Sequence, residues 1–143
     1  MNTSNFFILA LAVTTSTIMN AQNSESLNLI TSIKSENATT VKLNLEGKIE
    51  TEFWDKDYIS VEIKVDDNIN EYHISSHLAK EERFKLVTTK KGNQLEVDMP
   101  NRRKFVTVNS KPYYDNLTFK LLVPAYTKIT KNISGEALIT MSK

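Results

Sequence analysis

From Val41 onward, apolar and polar residues alternate along the chain. Val41, Leu43 and Leu45 fall on one side of an extended backbone and Lys42, Asn44 and Glu46 on the other, the period of two that marks a half-buried strand. Gly47 interrupts the run, and Ile49, Thr51 and Phe53 resume it. The clearest stretch begins at Tyr58, where Ile59, Val61, Ile63 and Val65 alternate with Ser60, Glu62 and Lys64. Its apolar residues are β-branched, which suits a pleated sheet and disfavours a helix. The polar turn Trp54-Asp55-Lys56-Asp57 joins these two strands, its Asp side chains able to hydrogen-bond nearby amides.

One segment breaks the period of two. Over 70–83, Ile74 and Leu78 lie four residues apart, no Gly or Pro intervenes, and Lys80, Glu81, Glu82 and Arg83 supply a solvated end, which predicts a short helix lying across a sheet edge. Phe84, Leu86 and Thr88 then face Leu95, Val97 and Met99 across Gly92-Asn93, a hairpin pattern. A strand of ambiguous register is expected at 105–108, a turn at Pro112-Tyr113-Tyr114-Asp115, and a long strand through Leu117, Phe119, Leu121 and Val123. The stretch 128–141 reads as two short strands split by Ser134-Gly135.

About nine short strands with one short helix predict an all-β domain, either a β-sandwich or a short β-solenoid. An internal echo points toward the solenoid. Asn44-Leu45-Glu46-Gly47-Lys48-Ile49 and Asn132-Ile133-Ser134-Gly135-Glu136-Ala137 share one order of residue types, as when one Gly turn serves each rung. The pattern divides the chain into a leader (1–21), a polar leader or edge segment (22–40) rather than core, and the β-domain proper (41–143).

The leader contains no charged residue, and at its centre lies the eight-residue apolar run Phe6-Phe7-Ile8-Leu9-Ala10-Leu11-Ala12-Val13. A bilayer-spanning helix needs about 20 apolar residues, so the run matches the core of a secretory signal, with Ala21 at the cleavage position. The expectation is export to the periplasm, outer envelope or medium, with no membrane insertion after cleavage. The missing Lys or Arg ahead of the apolar run departs from the usual signal.

With 18 basic and 17 acidic side chains, the chain is nearly neutral. Nucleic acid is therefore not an expected partner, because phosphate binding depends on clustered excess Lys and Arg. The absence of cysteine removes disulfides, thiolate metal ligands and cysteine nucleophiles together. A Gly-X-Ser-X-Gly elbow and a Gly-rich phosphate loop are also missing. Neither an enzyme nor a cofactor is expected.

Several motifs are familiar. Leu45-Glu46-Gly47-Lys48-Ile49, followed by Trp54-Asp55-Lys56-Asp57-Tyr58-Ile59-Ser60-Val61-Glu62-Ile63, resembles the opening of bacterial adhesin-like domains of the DUF4097 and DUF2807 type. Leu95-Glu96-Val97 and Ile133-Ser134-Gly135-Glu136 resemble that family's recurring units, so the resemblance extends over most of 41–143. It implies an envelope-associated or secreted β-solenoid without a known biochemical activity. Three glycines are few for that family.

Four aromatic residues near expected turns, Trp54, Tyr58, Tyr113 and Tyr114, are candidates for stacking on a glycan, against the plainer reading in which Phe53 and Trp54 cap one end of the core. His73, His77 and Glu81 would share one helix face, the spacing of a weak zinc or nickel site and the basis of an alternative reading as a metal-binding sensor or enzyme, but with no fourth ligand evident nearby no metal is expected. Asp55, Asp57, Asp66 and Asp67 lack the spacing of a calcium loop. Arg102-Arg103-Lys104 reads as a solvated basic loop before an anion site. The reading is a non-catalytic domain that works through surface contacts with a protein or glycan, able to self-associate through the exposed edge of its terminal strand at 137–141.

Overall fold

The computed structural model describes residues 26–69, 72–132 and 139–141. It is all-β with one short helix. Two sheets close over a single apolar core. The first contains β1 (Leu27–Lys34), β3 (Lys48–Trp54), β4 (Tyr58–Asp67) and β9 (Asp115–Pro124), in the order β1-β4-β9-β3. The second contains β2 (Thr40–Asn44), β5 (Val87–Lys91), β6 (Gln94–Asp98), β10 (Lys128–Lys131) and β11 (Ile139–Met141), in the order β11-β10-β2-β6-β5.

The alternation seen in the sequence is the alternation of burial. Ile59, Val61, Ile63 and Val65 of β4 and Leu117, Phe119, Leu121 and Val123 of β9 point inward, and the two strands pair antiparallel with Val61 opposite Leu121 and Ile63 opposite Phe119. Val41, Leu43, Leu95, Val97 and Ile129 come from the other sheet. Fully burying each such side chain contributes about 1.5–3 kcal/mol, and with no disulfide available this packing carries the fold.

The chain enters the fold earlier than its polar composition implied. β1 pairs with β4 over all eight residues and buries Leu27 and Ile33, so part of 22–40 is core as well as sheet edge. The order also separates β3 from β4. β9 lies between them, parallel to β3 and antiparallel to β4, so the connection at 55–57 bridges two strand spacings, about 9.5 Å. A solenoid is not shown. Of the second copy of the echo, only Asn132 lies within the described residues. In the first copy Gly47 adopts φ +141°, where a Cβ would stand 2.4 Å from the Leu117 carbonyl oxygen. Close approach to β9 therefore requires glycine there.

Helix α1 (Tyr72–Lys80) occupies most of the expected span, and its end is set by backbone geometry. Glu82 takes a left-handed φ of +60°, the Arg83 N–H donates to the Leu78 carbonyl at 3.0 Å, and the Glu82 N–H donates to the Ala79 carbonyl at 3.0 Å. This is the Schellman pattern of a helix C-terminus, and it turns Arg83 and Phe84 inward. The strand expected through Phe84, Leu86 and Thr88 starts later. β5 begins at Val87, lies at the edge of its sheet and is exposed throughout, while Phe84 reaches the core from the turn before it. The expected turn at 112–115 is likewise displaced. Asn109 and Ser110, at φ +49° and +62°, form a two-residue hairpin turn between β7 (Thr107–Val108) and β8 (Lys111–Pro112). Phe105, read as strand, precedes that hairpin and is 77% exposed.

Candidate functional site

The four candidate aromatics occupy opposite ends of the four-stranded sheet. Trp54 and Tyr58 lie beside the last residues of β9, where Trp54 is in register with Pro124. Their rings meet edge to face with centroids 4.7 Å apart, and the Trp54 Nε1–H donates to the Tyr58 carbonyl at 2.8 Å. The Lys56 ammonium sits 4.8 Å from the Trp54 ring centroid and 5.7 Å from that of Tyr58. Both rings are thus engaged by their own loop.

Tyr113 and Tyr114 precede β9 at the other end. Tyr114 is 64% exposed, but Tyr113 is buried, not in reach of solvent as its position beside an expected turn implied. The Tyr113 hydroxyl donates to Asp67 Oδ2 at 3.3 Å, and the Arg83 guanidinium lies 5.3 Å from its ring centroid. Burial, then the Asp67 and Asp115 charges, push its pKa well above the usual tyrosine value.

Around Tyr113 is an ionic cluster that the linear sequence does not announce. Asp115, 3% exposed at its side chain, accepts from Arg83 Nε at 2.8 Å on one oxygen and from Arg102 Nε at 2.7 Å on the other. Arg83 also donates to the Lys104 carbonyl at 2.9 Å, and Arg102 to the carbonyls of Glu46 and Asp115, both at 3.0 Å. Arg103 pairs with Asp98 at 2.6 Å. The stretch read as a solvated basic loop is thus partly committed: Arg102 ties together the ends of β2 and β9, while Arg103, though paired, and Lys104 stay exposed. With every charge of Arg83, Asp115 and Arg102 answered by another, the cluster is built to hold segments together.

His73 and His77 are exposed on α1, and Glu81 lies one residue past its end. Among the described residues, no three His, Cys, Asp or Glu side chains converge as a metal site. Among the same residues, no helix is long and apolar enough to cross a membrane.

The feature best suited to a ligand is one the sequence reading did not single out. A groove of about 420 Å³ runs between β1 and the helical segment. Leu29, Ile30 and Thr31 form one wall, and Ser76, Ala79 and Phe84 line the other side. Its volume falls within the range of ordinary ligand pockets. Lys80, Glu82 and Lys85 stand at its rim, with Lys85 paired to Glu82 at 2.7 Å. The only trace of the groove in the sequence was a helix predicted across a sheet edge; which edge, and what apolar side chains lay beneath, depended on β1 being in the sheet.

Comparison with protein-family models, with curated proteins and with solved structures found no match.

Proposed function

We propose that this chain is an exported, non-catalytic β-domain that works by contact with another protein, and that its seat is the groove between β1 and α1. The groove itself carries the reading: about 420 Å³ of largely apolar space, open to solvent, beside Ile30, which is 41% exposed. Export is supported by the uncharged leader with its eight-residue apolar run and Ala21. The resemblance to adhesin-like domains agrees with a contact function. A glycan platform is less well supported, because the four aromatic rings it would use lie at two ends of the sheet and three of them are packed or half-buried.

The test is selection of octapeptides with Val, Ile, Leu or Phe at alternate positions from a combinatorial library, using the immobilised mature domain. Retained peptides should bind the Tyr114→Ala variant as they bind the parent and lose binding to Ala79→Trp, which fills the groove, and to Ile30→Lys, at a position exposed enough to accept lysine. Peptides that bind all variants equally, or a library from which none is retained, would overturn the reading.

A further inference from the structure

The groove faces the edge of β1 as well as one of its faces. Successive side chains of a strand point to opposite faces of the sheet. Leu27, Leu29 and Thr31, with Ile63 of β4 behind them, line the groove from the inward face of the sheet, and Ile30, which belongs to the opposite face, lines it too, so the groove also reaches the backbone edge of β1. That edge is open among the described residues, since β1 ends the order β1-β4-β9-β3 and pairs only with β4. An open edge offers a row of N–H and C=O groups to another extended chain, and proteins ordinarily guard such rows with charge, proline or shortness.

The four edges of the two larger sheets differ in this protection. β3 carries Lys48, Glu50 and Glu52 in alternation, and β5 carries Lys90 and Lys91. β11 is three residues long. β1 has eight residues, of which the first seven, Leu27 to Ile33, are uncharged, and it contains no proline. The edge of β1 thus has no charge or proline along its first seven residues, and the element beside it is α1, across the apolar groove.

We infer that the occupant of the groove is an extended segment of another protein that adds to β1 as a fifth strand, with alternate apolar side chains in the groove and an acidic residue against Lys80. This rests on the binding role proposed for the groove and specifies its mode. Main-chain hydrogen bonds to β1 give affinity and the pocketed side chains give selectivity, the division of labour of strand addition. Charge complementarity sets the acidic residue. Lys85 is paired with Glu82, whereas Lys80 has no ion pair among the described residues.

Methylating alternate backbone nitrogens of a retained octapeptide removes donors and leaves its side chains in place. With the methyls on the edge that faces β1, affinity should fall about tenfold or more; on the opposite edge it should change little. Binding of the parent peptide should slow hydrogen exchange at alternate amides of β1. Lys80→Glu should weaken peptides that carry Asp or Glu about threefold to tenfold, and less so at high salt. Equal affinity for both methylated forms, with binding still lost in Ala79→Trp, would overturn strand addition while leaving the groove as a binding seat. If dodecanoate binds in an Ala79→Trp-sensitive manner and no octapeptide binds, the occupant is a small amphiphile and both the protein-contact reading and its mode fall.

Discussion

The two ends of the four-stranded sheet are secured by opposite means. At one end Trp54, Lys56 and Tyr58 lie within five consecutive residues, and their contacts form within a single loop. At the other, Asp115 gathers Arg83 and Arg102 from 32 and 13 residues away, and Arg102 reaches Glu46 across 56. The aromatic end closes as soon as the chain turns. The ionic end closes only when β2, the helix terminus, the 3₁₀ turn Pro100–Arg103 and β9 have all arrived. Sequence separation thus determines what each end can do: the first stiffens a loop, and the second registers the two sheets against one another.

The contrast is broken most severely at Asp115. Asp115→Ala leaves two guanidinium groups, both largely buried, without their carboxylate, and should cost about 3–5 kcal/mol, read as a lower urea midpoint. Replacing Arg83 or Arg102 together with Asp115 should cost much less than the sum of the single losses. Additive losses would mean that the cluster does not act as a unit.

Gly47→Ala strikes the same end without touching a charge. Its Cβ would meet the Leu117 carbonyl, and φ +141° is hostile to any L side chain. Strain and overpacking together should cost about 2–3 kcal/mol. An unchanged midpoint would show that β9 can retreat from the turn.

At the aromatic end, Trp54→Ala should cost about 1.5–2 kcal/mol, below the 3–5 expected of a fully buried ring, because Trp54 is only half-buried. The loss should be insensitive to salt apart from the Lys56 contact. If it exceeded that of Asp115→Ala, the ranking of the two ends would be reversed.

The smallest effect separates the ends by pH. The folded state holds the Tyr113 hydroxyl protonated beyond the usual value of 10.0, so its contribution is fully present below about pH 10. It is lost as pH rises, because the unfolded chain releases that proton first. Tyr113→Phe gives up one long hydrogen bond, worth about 0.5–1 kcal/mol, and should show a shallower fall in melting temperature above pH 10 than the parent. Parallel falls would place the alkaline sensitivity elsewhere.

This division also explains what could be read from the chain in advance. β2, β3, β4, β6 and β9 and the helix were legible because each is specified by a period that neighbouring residues set among themselves. The edge elements were less legible. β5 has no buried face to impose a period, β1 is polar enough to resemble a leader although Leu27 and Ile33 reach the core, and the β7–β8 hairpin depends on left-handed Asn109 and Ser110 instead of a Gly or Pro signal. Arg102 looked like surface charge because its partners are Asp115 and Glu46, neither of them near it in sequence.

The sequence by itself determined an all-β domain without disulfides, which strands have a buried side and where most of them turn, since local alternation and the lack of cysteine suffice for that. Apart from the β5–β6 hairpin about Gly92-Asn93, which the sequence announced, which strands are neighbours was decided only in the folded molecule. The insertion of β9 between β3 and β4, the inward turn of Arg83, and the groove along β1 all follow from contacts between segments far apart in the chain, and no local pattern of residues carries that information.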